Sequence, residues 1–414
     1  MRSLSPGPRA LAPLLAALSL IACGSADDPA VIGASDGDVQ SNDEAPAPPG
    51  APGSSQLPVP DDVIIAGTCA GEVAAETFAS ALCSCQDTNI AGYLKTRSFQ
   101  PGDAGEPERL GGSVGVNESY STSGYADVGG GFTVSGPREL LFGGLLRAGQ
   151  DLKLAPSASV AGVIEVGRDA WLTDDVRAFG RVAIERDLYT SAGVGFRGIA
   201  VVDVGGEERT QAVSVAPPCA CGAGEIIDVS ALVAEGEADN DNAGVGLDVD
   251  ALNAEIGAVE VTLPGGRYFV HQIGGVGAMR LNITGKTAIF VEDDVIATGA
   301  FAIELAPDAE LDLFVRDNLV ITGAARFGDR ARPSATRVYV GGTGDIAIAG
   351  YAAFVGNLYA PTANVVIGGY GQIYGSLFGK NITAAGFVSV GYDESIQQPG
   401  SECPPSDGQL PRVR

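Results

Sequence analysis

Histidine and tryptophan are almost absent from this sequence, which has one of each, His271 and Trp171, among 414 residues. A single histidine leaves serine–histidine–aspartate and cysteine–histidine catalytic arrangements with at most one candidate. Aromatic residues are also few, at 6%, whereas glycine occurs 59 times. This composition argues against a conventional helical or doubly wound enzyme.

Basic residues are in deficit as well. There are 25 lysines and arginines against 51 aspartates and glutamates, so the formal net charge is −26. Because nucleic acid and anionic membrane surfaces are themselves negative, this balance argues against both as partners. It favours a well-solvated surface, with divalent cations or a cationic partner as the alternatives.

Long apolar runs are missing after residue 22, so no later segment is expected to span a membrane. Before that point, Arg2 and Arg9 precede a short apolar run, which is typical of a secretory signal. The run ends in Leu20-Ile-Ala-Cys23, which resembles the lipobox of bacterial lipoproteins. The resemblance implies a signal peptide over residues 1–22, cleavage before Cys23 and acylation of Cys23. The alternative is an ordinary secreted protein in which Cys23 is incidental.

Residues 23–62 combine acidic residues, prolines and small residues and contain no lysine or arginine. Such a segment cannot bury enough apolar surface to offset its ordering entropy, so a disordered tether is predicted. Gly24, rather than aspartate, follows Cys23, and this resembles the pattern that permits sorting to the outer membrane. The expected location is the cell envelope, as an outer-membrane lipoprotein that faces either the periplasm or the surface.

The C-terminal half contains internal repeats. Residues 348–359 and residues 367–378, nineteen positions later, are identical at five positions. Residues 291–299 recur in similar form 24 positions later, at residues 315–323. Within each unit apolar residues alternate with others, which is the periodicity of a β-strand, and glycine or Asp-Asn steps end each run.

The N-terminal half repeats with a period of 18, which is clearest at Asp151, Asp169 and Asp187. Units of this size cannot bury an apolar face alone, but stacked units share a continuous core. We therefore predict an all-β fold, a right-handed parallel β-helix in two repeat blocks with short helical, cysteine-bearing inserts. A leucine-rich repeat would place leucines around an asparagine, and a β-sandwich would not keep a fixed period.

Composition and repeats together divide the chain into segments. In the piece between the two blocks, Asp228 is predicted to cap a short helix with Val229, Leu232 and Val233 on its apolar side. The predicted segments are a signal peptide (1–22), a disordered acidic tether (23–62), a cysteine-bearing helical cap (63–91), a first β-helix block (92–215), a Cys-x-Cys and helical insert (216–254), a second β-helix block (255–396) and a tail (397–414).

The cysteines outside the signal region are even in number, which in an exported protein favours disulfide bonds. The alternative is a zinc site built from two Cys-x-Cys pairs, but the usual spacing in zinc sites is Cys-x₂-Cys. We predict three disulfide bonds, with their pairing left open, and neither a metal site nor a cofactor. The candidates are Cys69, Cys83, Cys85, Cys219, Cys221 and Cys403.

Short motifs follow one another in order along residues 63–396: Cys69, Cys83-Ser-Cys85, Pro218-Cys-Ala-Cys221, Asp239-Asn-Asp-Asn242, Gly266-Arg-Tyr-Phe-Val270, Val338-Tyr-Val-Gly-Gly342, Gly356-Asn-Leu-Tyr-Ala-Pro361 and Tyr374-Gly-Ser-Leu-Phe-Gly379. This series resembles a group of uncharacterised envelope lipoproteins of myxobacteria and their relatives. Their C-terminal domain is similar to a β-helix domain of some pilus-assembly-associated proteins. The resemblance implies the fold and an envelope location, and brings no catalytic residues. The first block also resembles bactofilin-type polymerising β-helices, which are cytoplasmic and lack export signals.

His271 and Trp171 are both expected to be structural residues. His271 ends the segment Tyr268-Phe-Val-His271 and is expected at a corner of a coil rather than in a catalytic site. Trp171 is expected to be a packed or edge residue rather than a platform for a sugar ring.

Repeated aspartates are the remaining candidates for chemistry. Asp293 and Asp317, like the aspartates of the first block, are predicted to stack one coil apart as a turn ladder. A glycosidase instead needs two carboxylates across a groove, about 5–9.5 Å apart. We expect a non-catalytic, lipid-anchored cell-envelope protein with a structural, adhesive or matrix-interacting role, whose partners are the membrane and an envelope polysaccharide or protein. The alternatives are a carbohydrate-active β-helix enzyme, either a glycosidase or a lyase, and an extracellular polysaccharide-binding module.

Overall fold

The computed structural model describes residues 70–100, 109–254, 257–298, 300–322, 325–350 and 353–398. These residues belong to one compact unit that spans Gly53–Arg414. The predicted signal peptide, acylation site and tether lie outside the described residues, as do Cys69, Cys403 and most of the predicted tail.

The described part of residues 70–210 consists of one short helix and a series of mostly very short strands. The helix α1 is Ala70–Thr77, and the first strand begins at Leu82. The strands are β1 Leu82–Ser84, β2 Asp87–Phe99, β3 Val114–Val116, β4 Ser119–Thr122, β5 Ala126–Val128, β6 Phe132–Val134, β7 Leu140–Phe142, β8 Leu146–Ala148, β9 Leu152–Leu154, β10 Ala158–Val160, β11 Ile164–Val166, β12 Ala170–Leu172, β13 Val176–Ala178, β14 Arg181–Ile184, β15 Leu188–Thr190, β16 Phe196–Gly198, β17 Val201–Val204 and β18 Glu208–Thr210.

These strands form three parallel columns, so that three successive strands make one coil of a solenoid. The first column contains β1, β3, β6, β9, β12, β15 and β18. In the third column Ile164 pairs with Val182, which is the partner that the predicted sequence period requires. The middle residue of most strands points outward while its two neighbours are buried, because side chains alternate across a strand.

The described part of residues 211–398 contains two helices, two 3₁₀ turns and longer strands. The helices are α2 Val229–Ala238 and α3 Asn242–Val245, and the 3₁₀ turns are Pro333–Ala335 and Glu394–Gln397. The strands are β19 Ala258–Leu263, β20 Gly266–Val270, β21 Ile273–Gly275, β22 Ala278–Ile283, β23 Lys286–Val291, β24 Val295–Ala297, β25 Phe301–Leu305, β26 Glu310–Val315, β27 Leu319–Ile321, β28 Arg326–Phe327, β29 Thr336–Val340, β30 Ile346–Gly350 and β31 Ala353–Asp393.

The second block repeats the same architecture with wider coils. Val291 pairs with Val315, and Ile348 pairs with Ile367, so both predicted repeats are confirmed as the registers of neighbouring coils. The strands β19, β22, β25 and β28 form their own four-stranded parallel sheet on one side of the coils. The very long β31 winds through more than one coil, since it pairs in turn with β29, β30, β1 and β2.

The two blocks form one solenoid, but the coils are not stacked in chain order. Leu82 in β1 pairs with Leu377 of β31 on one side and with Val114 of β3 on the other. The first coil of the chain therefore lies between the two blocks, in the interior of a stack of about 12 turns. From there the first block extends to one end of the stack, and the second block starts at the opposite end and runs back. The described part of the segment predicted as a cap, residues 70–91, leads into this interior coil.

We call residues 211–242 the strap. This segment leads from the outermost coil of the first block toward the outermost coil of the second block. Asp228 caps α2 as predicted, because its Oδ1 accepts a hydrogen bond of 3.0 Å from the N–H of Ala231. Val229, Leu232 and Val233 are buried, as predicted. The helix packs so closely that a side chain at Gly236 would collide with the ring of Phe290.

Beneath α2 the first column carries an outward-facing aromatic ladder. Phe290 stacks on Phe314 with 5.2 Å between ring centroids, and Phe314 stacks on Tyr339 at 4.9 Å. Because these strands bury one side in the solenoid core and the other under the helix, all five residues of β29 are buried. The structure confirms a mostly β, parallel solenoid with few helices and with disulfide bonds. Within the described part of the chain, none of the helices has the length and apolarity needed to cross a membrane.

Candidate functional site

Four of the predicted cysteines form two disulfide bonds that hold the strap to the interior coil. Cys83 is bonded to Cys219 and Cys85 to Cys221, with Cα atoms 5.8 Å and 5.6 Å apart. In β1 the intervening Ser84 is buried. Because alternate residues of an extended chain point the same way, two matched Cys-x-Cys segments bond side by side. Cysteines bonded in this way offer no thiolates to a zinc ion, so the structure favours the disulfide interpretation of these four residues.

Asn117 reinforces this attachment. Its side-chain amide donates to the carbonyl of Cys219 at 2.9 Å, and its Oδ1 accepts from the N–H of Cys219 at 3.0 Å. The neighbouring coil makes room for the strap at Gly115, where a Cβ would collide with Pro218. Asn117 could not be identified from the sequence, because a single asparagine after a short strand has no distinctive pattern.

The aspartates of the first block form the predicted ladder. Asp169 Oδ1 accepts a hydrogen bond of 3.0 Å from the backbone N–H of Asp187, one coil further on. Asp187 Oδ1 accepts in the same way from Glu207 at 2.9 Å. Each of these carboxylates binds the backbone of the next coil, so the row supports the stacking of the coils.

Arginines run beside the aspartate ladder and balance its charge. Arg168 lies 3.5 Å from Asp151, and Arg186 lies 3.5 Å from Asp169. The hydrogen bonds from Glu207 N–H and from the Tyr189 hydroxyl hold the pKa of Asp187 below its usual value. A carboxyl group with a lowered pKa remains ionised at neutral pH, which is unsuitable for a general acid.

In the second block the row of carboxylates follows a slightly different register. Asp293 and Asp317 occupy equivalent positions one coil apart, as predicted, and both are exposed. The ladder contact belongs to the next pair along the chain, where Asp294 Oδ1 accepts from both the backbone and the side-chain amide of Asn318, at 2.9 and 3.0 Å. An asparagine that donates to an aspartate avoids like charges on neighbouring coils.

A buried arginine in the second block pairs with two carboxylates. The Arg337 side chain donates to both carboxylate oxygens of Asp312, at 2.6 and 3.0 Å, and to Glu310 at 2.8 Å. Burial alone would lower the pKa of Arg337, but the adjacent carboxylate of Asp312 outweighs it and the pKa is raised. This cluster links two successive coils in β26 and β29.

His271 lies directly after β20, where the coil turns, in agreement with the prediction. Its Nδ1 is 2.9 Å from Asp250 Oδ1, and its Nε2 is 3.6 Å from Glu292. The hydrogen bond to Asp250 raises the pKa of this exposed imidazole. The contact with Asp250 joins the start of the second block to the segment that covers it, and the contact with Glu292 reaches the next coil.

Trp171 lies in the first column, between Lys153 on one neighbouring coil and Tyr189 on the other. Its ring is parallel to that of Tyr189, with centroids 5.2 Å apart, and the Lys153 ammonium is 5.0 Å from its centroid. The Arg209 guanidinium in turn lies over Tyr189. Both faces of the indole are therefore occupied by neighbouring coils, which fits a packed residue better than an open sugar platform.

A groove opens between this column and the strap. It has a volume of about 480 Å³ and is bounded on the solenoid side by Thr133, Lys153 and Trp171. The strap contributes Ser214, Val215, Ala216 and Pro218. The groove is the candidate functional site, because it joins an aromatic edge, an ammonium group and extended backbone. In the described residues no cluster of three or more histidine, cysteine, aspartate or glutamate side chains is arranged to hold a metal ion.

The comparisons with known proteins extend these observations little. Residues 205–399, which include the last strand of the first block, the strap and the second block, match a domain of unknown function (DUF7305). No curated protein matches the chain. Among solved structures, the C-terminal domain of the Caldicellulosiruptor kristjanssonii tapirin is similar at 12% sequence identity and a TM-score of 0.20, over 77% of this chain and 93% of that chain. We draw no functional argument from that likeness.

Proposed function

We propose that this chain is a non-catalytic, lipid-anchored protein of the cell envelope with a structural, adhesive or matrix-interacting role. The observation that carries the proposal is how the repeated ionisable side chains are used. Asp169 and Asp187 bind the backbone of the next coil, and Arg168 and Arg186 lie beside the row. These contacts stiffen the stack of coils, which is the property that a spacer or scaffold requires.

The location is supported by the cysteines and the N-terminal sequence together. The disulfide bonds Cys83–Cys219 and Cys85–Cys221 persist in an oxidising compartment, such as the periplasm or the cell surface. The lipobox-like segment that ends at Cys23 and the resemblance to envelope lipoproteins point to the same compartment. Stable attachment takes an acyl anchor of more than one chain, which lipoprotein modification of a cysteine supplies.

The anchor is tested by replacing Cys23 with serine in the producing cell. We expect the wild type to incorporate a labelled fatty acid and to sediment with membranes, and the Cys23→Ser variant to do neither. A Cys69→Ser variant serves as the control for replacing a cysteine outside the lipobox-like segment. Membrane association that persists in Cys23→Ser, without any incorporated label in the wild type, would refute lipid anchoring.

A polysaccharide-binding module is the second candidate, and the groove beside Trp171 is the observation that favours it. The indole edge and the Lys153 ammonium would meet an acidic polysaccharide chain that lies along the strap. Binding is measured by titrating soluble acidic and neutral polysaccharides into the protein. Loss of binding in Lys153→Gln, with binding unchanged in the exposed control Lys95→Gln, would favour this function over a purely structural one.

The enzymatic alternative has its own test. The protein is incubated with the same polysaccharides, with and without calcium, and the products are assayed for new reducing ends and unsaturated sugars. If the protein has the proposed non-catalytic function, no products form. Products that disappear in Asp293→Asn or Asp317→Asn would establish a glycosidase or lyase, because such enzymes lose most of their activity when a catalytic carboxylate is neutralised.

A further inference from the structure

The end of the solenoid formed by β16, β17 and β18 is open. In the described part of the chain each of these strands pairs on one side only, with β13, β14 and β15 respectively. The N–H of Val201 donates to the carbonyl of Gly180, and that of Gly205 donates to the carbonyl of Ile184. The backbone N–H and C=O groups of residues 201, 203 and 205 are therefore directed toward the preceding coil. Because the backbone groups of a strand alternate in direction, Val202 and Val204 direct theirs away from the stack.

The same end exposes several apolar side chains, one of which, Val202, occupies a position that is buried on the preceding coil. Val182 in β14 is fully buried, whereas its partner Val202 in the terminal coil is 40% exposed. Ile199 is 80% exposed and Val201 is 72% exposed. An edge that combines unpaired backbone with exposed β-branched residues is a template for adding further strands.

Charge does not oppose contact at this end, despite the net charge of −26. Residues 196–210 contain two arginines and three acidic residues, and most are already paired within the chain. Arg197 lies 3.0 Å from Asp175, and Asp203 lies 3.4 Å from Arg181. Two identical ends can therefore approach without the repulsion expected between other surfaces of this acidic protein.

The opposite end of the solenoid is covered by the chain itself. The Asn242 side chain donates to the carbonyl of Phe269 at 2.6 Å and accepts from its N–H at 3.0 Å. The backbone N–H of Asp241 donates to the carbonyl of Arg267 at 2.7 Å, and Asp241 Oδ2 accepts from the N–H of Arg267 at 2.8 Å. The apolar residues Val245, Leu247, Leu252 and Ala254 are buried over this end.

We propose that the open coil is the surface through which two copies of this chain associate end to end, in a closed two-fold dimer. A second copy offers the matching outline of three strands, the matching apolar residues and the same near-neutral charge. Two-fold symmetry places the meeting strands antiparallel, so their outward N–H and C=O groups can pair across the junction. Because the covered end does not expose such a coil, association stops at two copies.

The experiment measures the mass of the full chain across a range of concentrations by sedimentation velocity and light scattering. The chain carries Cys23→Ser, so that no acyl group drives association. We expect a concentration-dependent species of twice the chain mass. The double variant Ile199→Lys/Val201→Lys should raise the dimer dissociation constant by at least about 100-fold, because each substitution occurs twice at a two-fold contact.

Val276 provides a matched control, since it is 79% exposed on the coil at the covered end. Val276→Lys should leave the dimer unchanged, and far-ultraviolet circular dichroism checks that every variant is folded. A monomer at all concentrations would overturn the proposal. It is the result expected if another segment of the chain covers the open coil. A dimer that persists in the double variant, or growth into species larger than two copies, would also overturn it.

Discussion

Removing both disulfide bonds together should destabilise the fold by far more than the sum of the two separate removals. Each bond joins cysteines whose sequence separation is 136, so both close the same loop between the interior coil and the strap. Closing a loop of that length reduces the entropy of the unfolded chain by the equivalent of about 5 kcal/mol at 25 °C. Once one bond exists, the second closes only the few residues between adjacent cysteines, which is equivalent to about 2 kcal/mol.

The assay is equilibrium unfolding in guanidinium chloride of three variants, each with cysteines replaced by alanine. One variant lacks Cys83 and Cys219, the second lacks Cys85 and Cys221, and the third lacks all four. Each of the first two should lose about 2 kcal/mol and the third about 7 kcal/mol, an excess of about 3 kcal/mol over the sum of the two. Wild type unfolded in the presence of reductant is an independent control and should approach the third variant. Strictly additive losses would refute the shared-loop reasoning.

Three further perturbations test the packing of the coils. Gly375→Ala should destabilise the protein by at least about 2 kcal/mol, because this glycine has a φ of +124° and an added Cβ would collide with the carbonyl of the preceding coil. Gly195 has open space around it, so Gly195→Ala should be neutral or stabilising, and the melting temperatures of the two variants are compared. Tyr120→Phe should raise stability by about 1 kcal/mol, because this fully buried hydroxyl has no hydrogen-bond partner among the described residues, and Tyr392→Phe, which removes a hydroxyl that donates a 2.7 Å bond, should lower it by a similar amount. The raised pKa of His271 means that its charged form is favoured in the folded state, so its contribution is fully present below the unfolded pKa of about 6.5 and is lost as the pH rises through the folded pKa. His271→Gln should therefore cost stability at pH 5, by less than about 1 kcal/mol for this exposed pair, and nothing measurable at pH 9; an equal cost at both pH values would contradict the assignment.

The coil lengths could be predicted from the sequence because a solenoid converts sequence period directly into register. Equivalent residues of successive coils stack on one another in a column. Residues one sequence period apart must therefore be neighbours in the structure. Ile348 and Ile367 are such a pair, as are Asp169 and Asp187 in the ladder. The cap at Asp228 was also predictable, since it depends on residues within one turn of helix.

The order of the coils could not be predicted, because parallel stacking relies on generic backbone hydrogen bonds and alternating apolar residues. Nothing in the sequence around Leu82 indicates whether its neighbour is Leu377 or Val114. In the structure Leu82 lies between the two. The equal spacing of the two Cys-x-Cys segments was the available signal, since it requires that two extended segments lie side by side. That constraint would have brought the strap to the interior coil but would not have ordered the second block.

The permuted order of the coils has a consequence for how the chain folds. During synthesis residues 82–99 emerge early, and β3, β4 and β5 can stack on one edge of that coil almost at once. The other edge has to wait for residues 377–393, close to the C-terminal end of the described chain, so it stays exposed while the rest of the solenoid forms. Contacts between residues so far apart in sequence are slow to form, because a long loop must close first. The junction between the blocks is therefore the step at which a nascent chain is most open to pairing with the wrong edge, including that of another molecule.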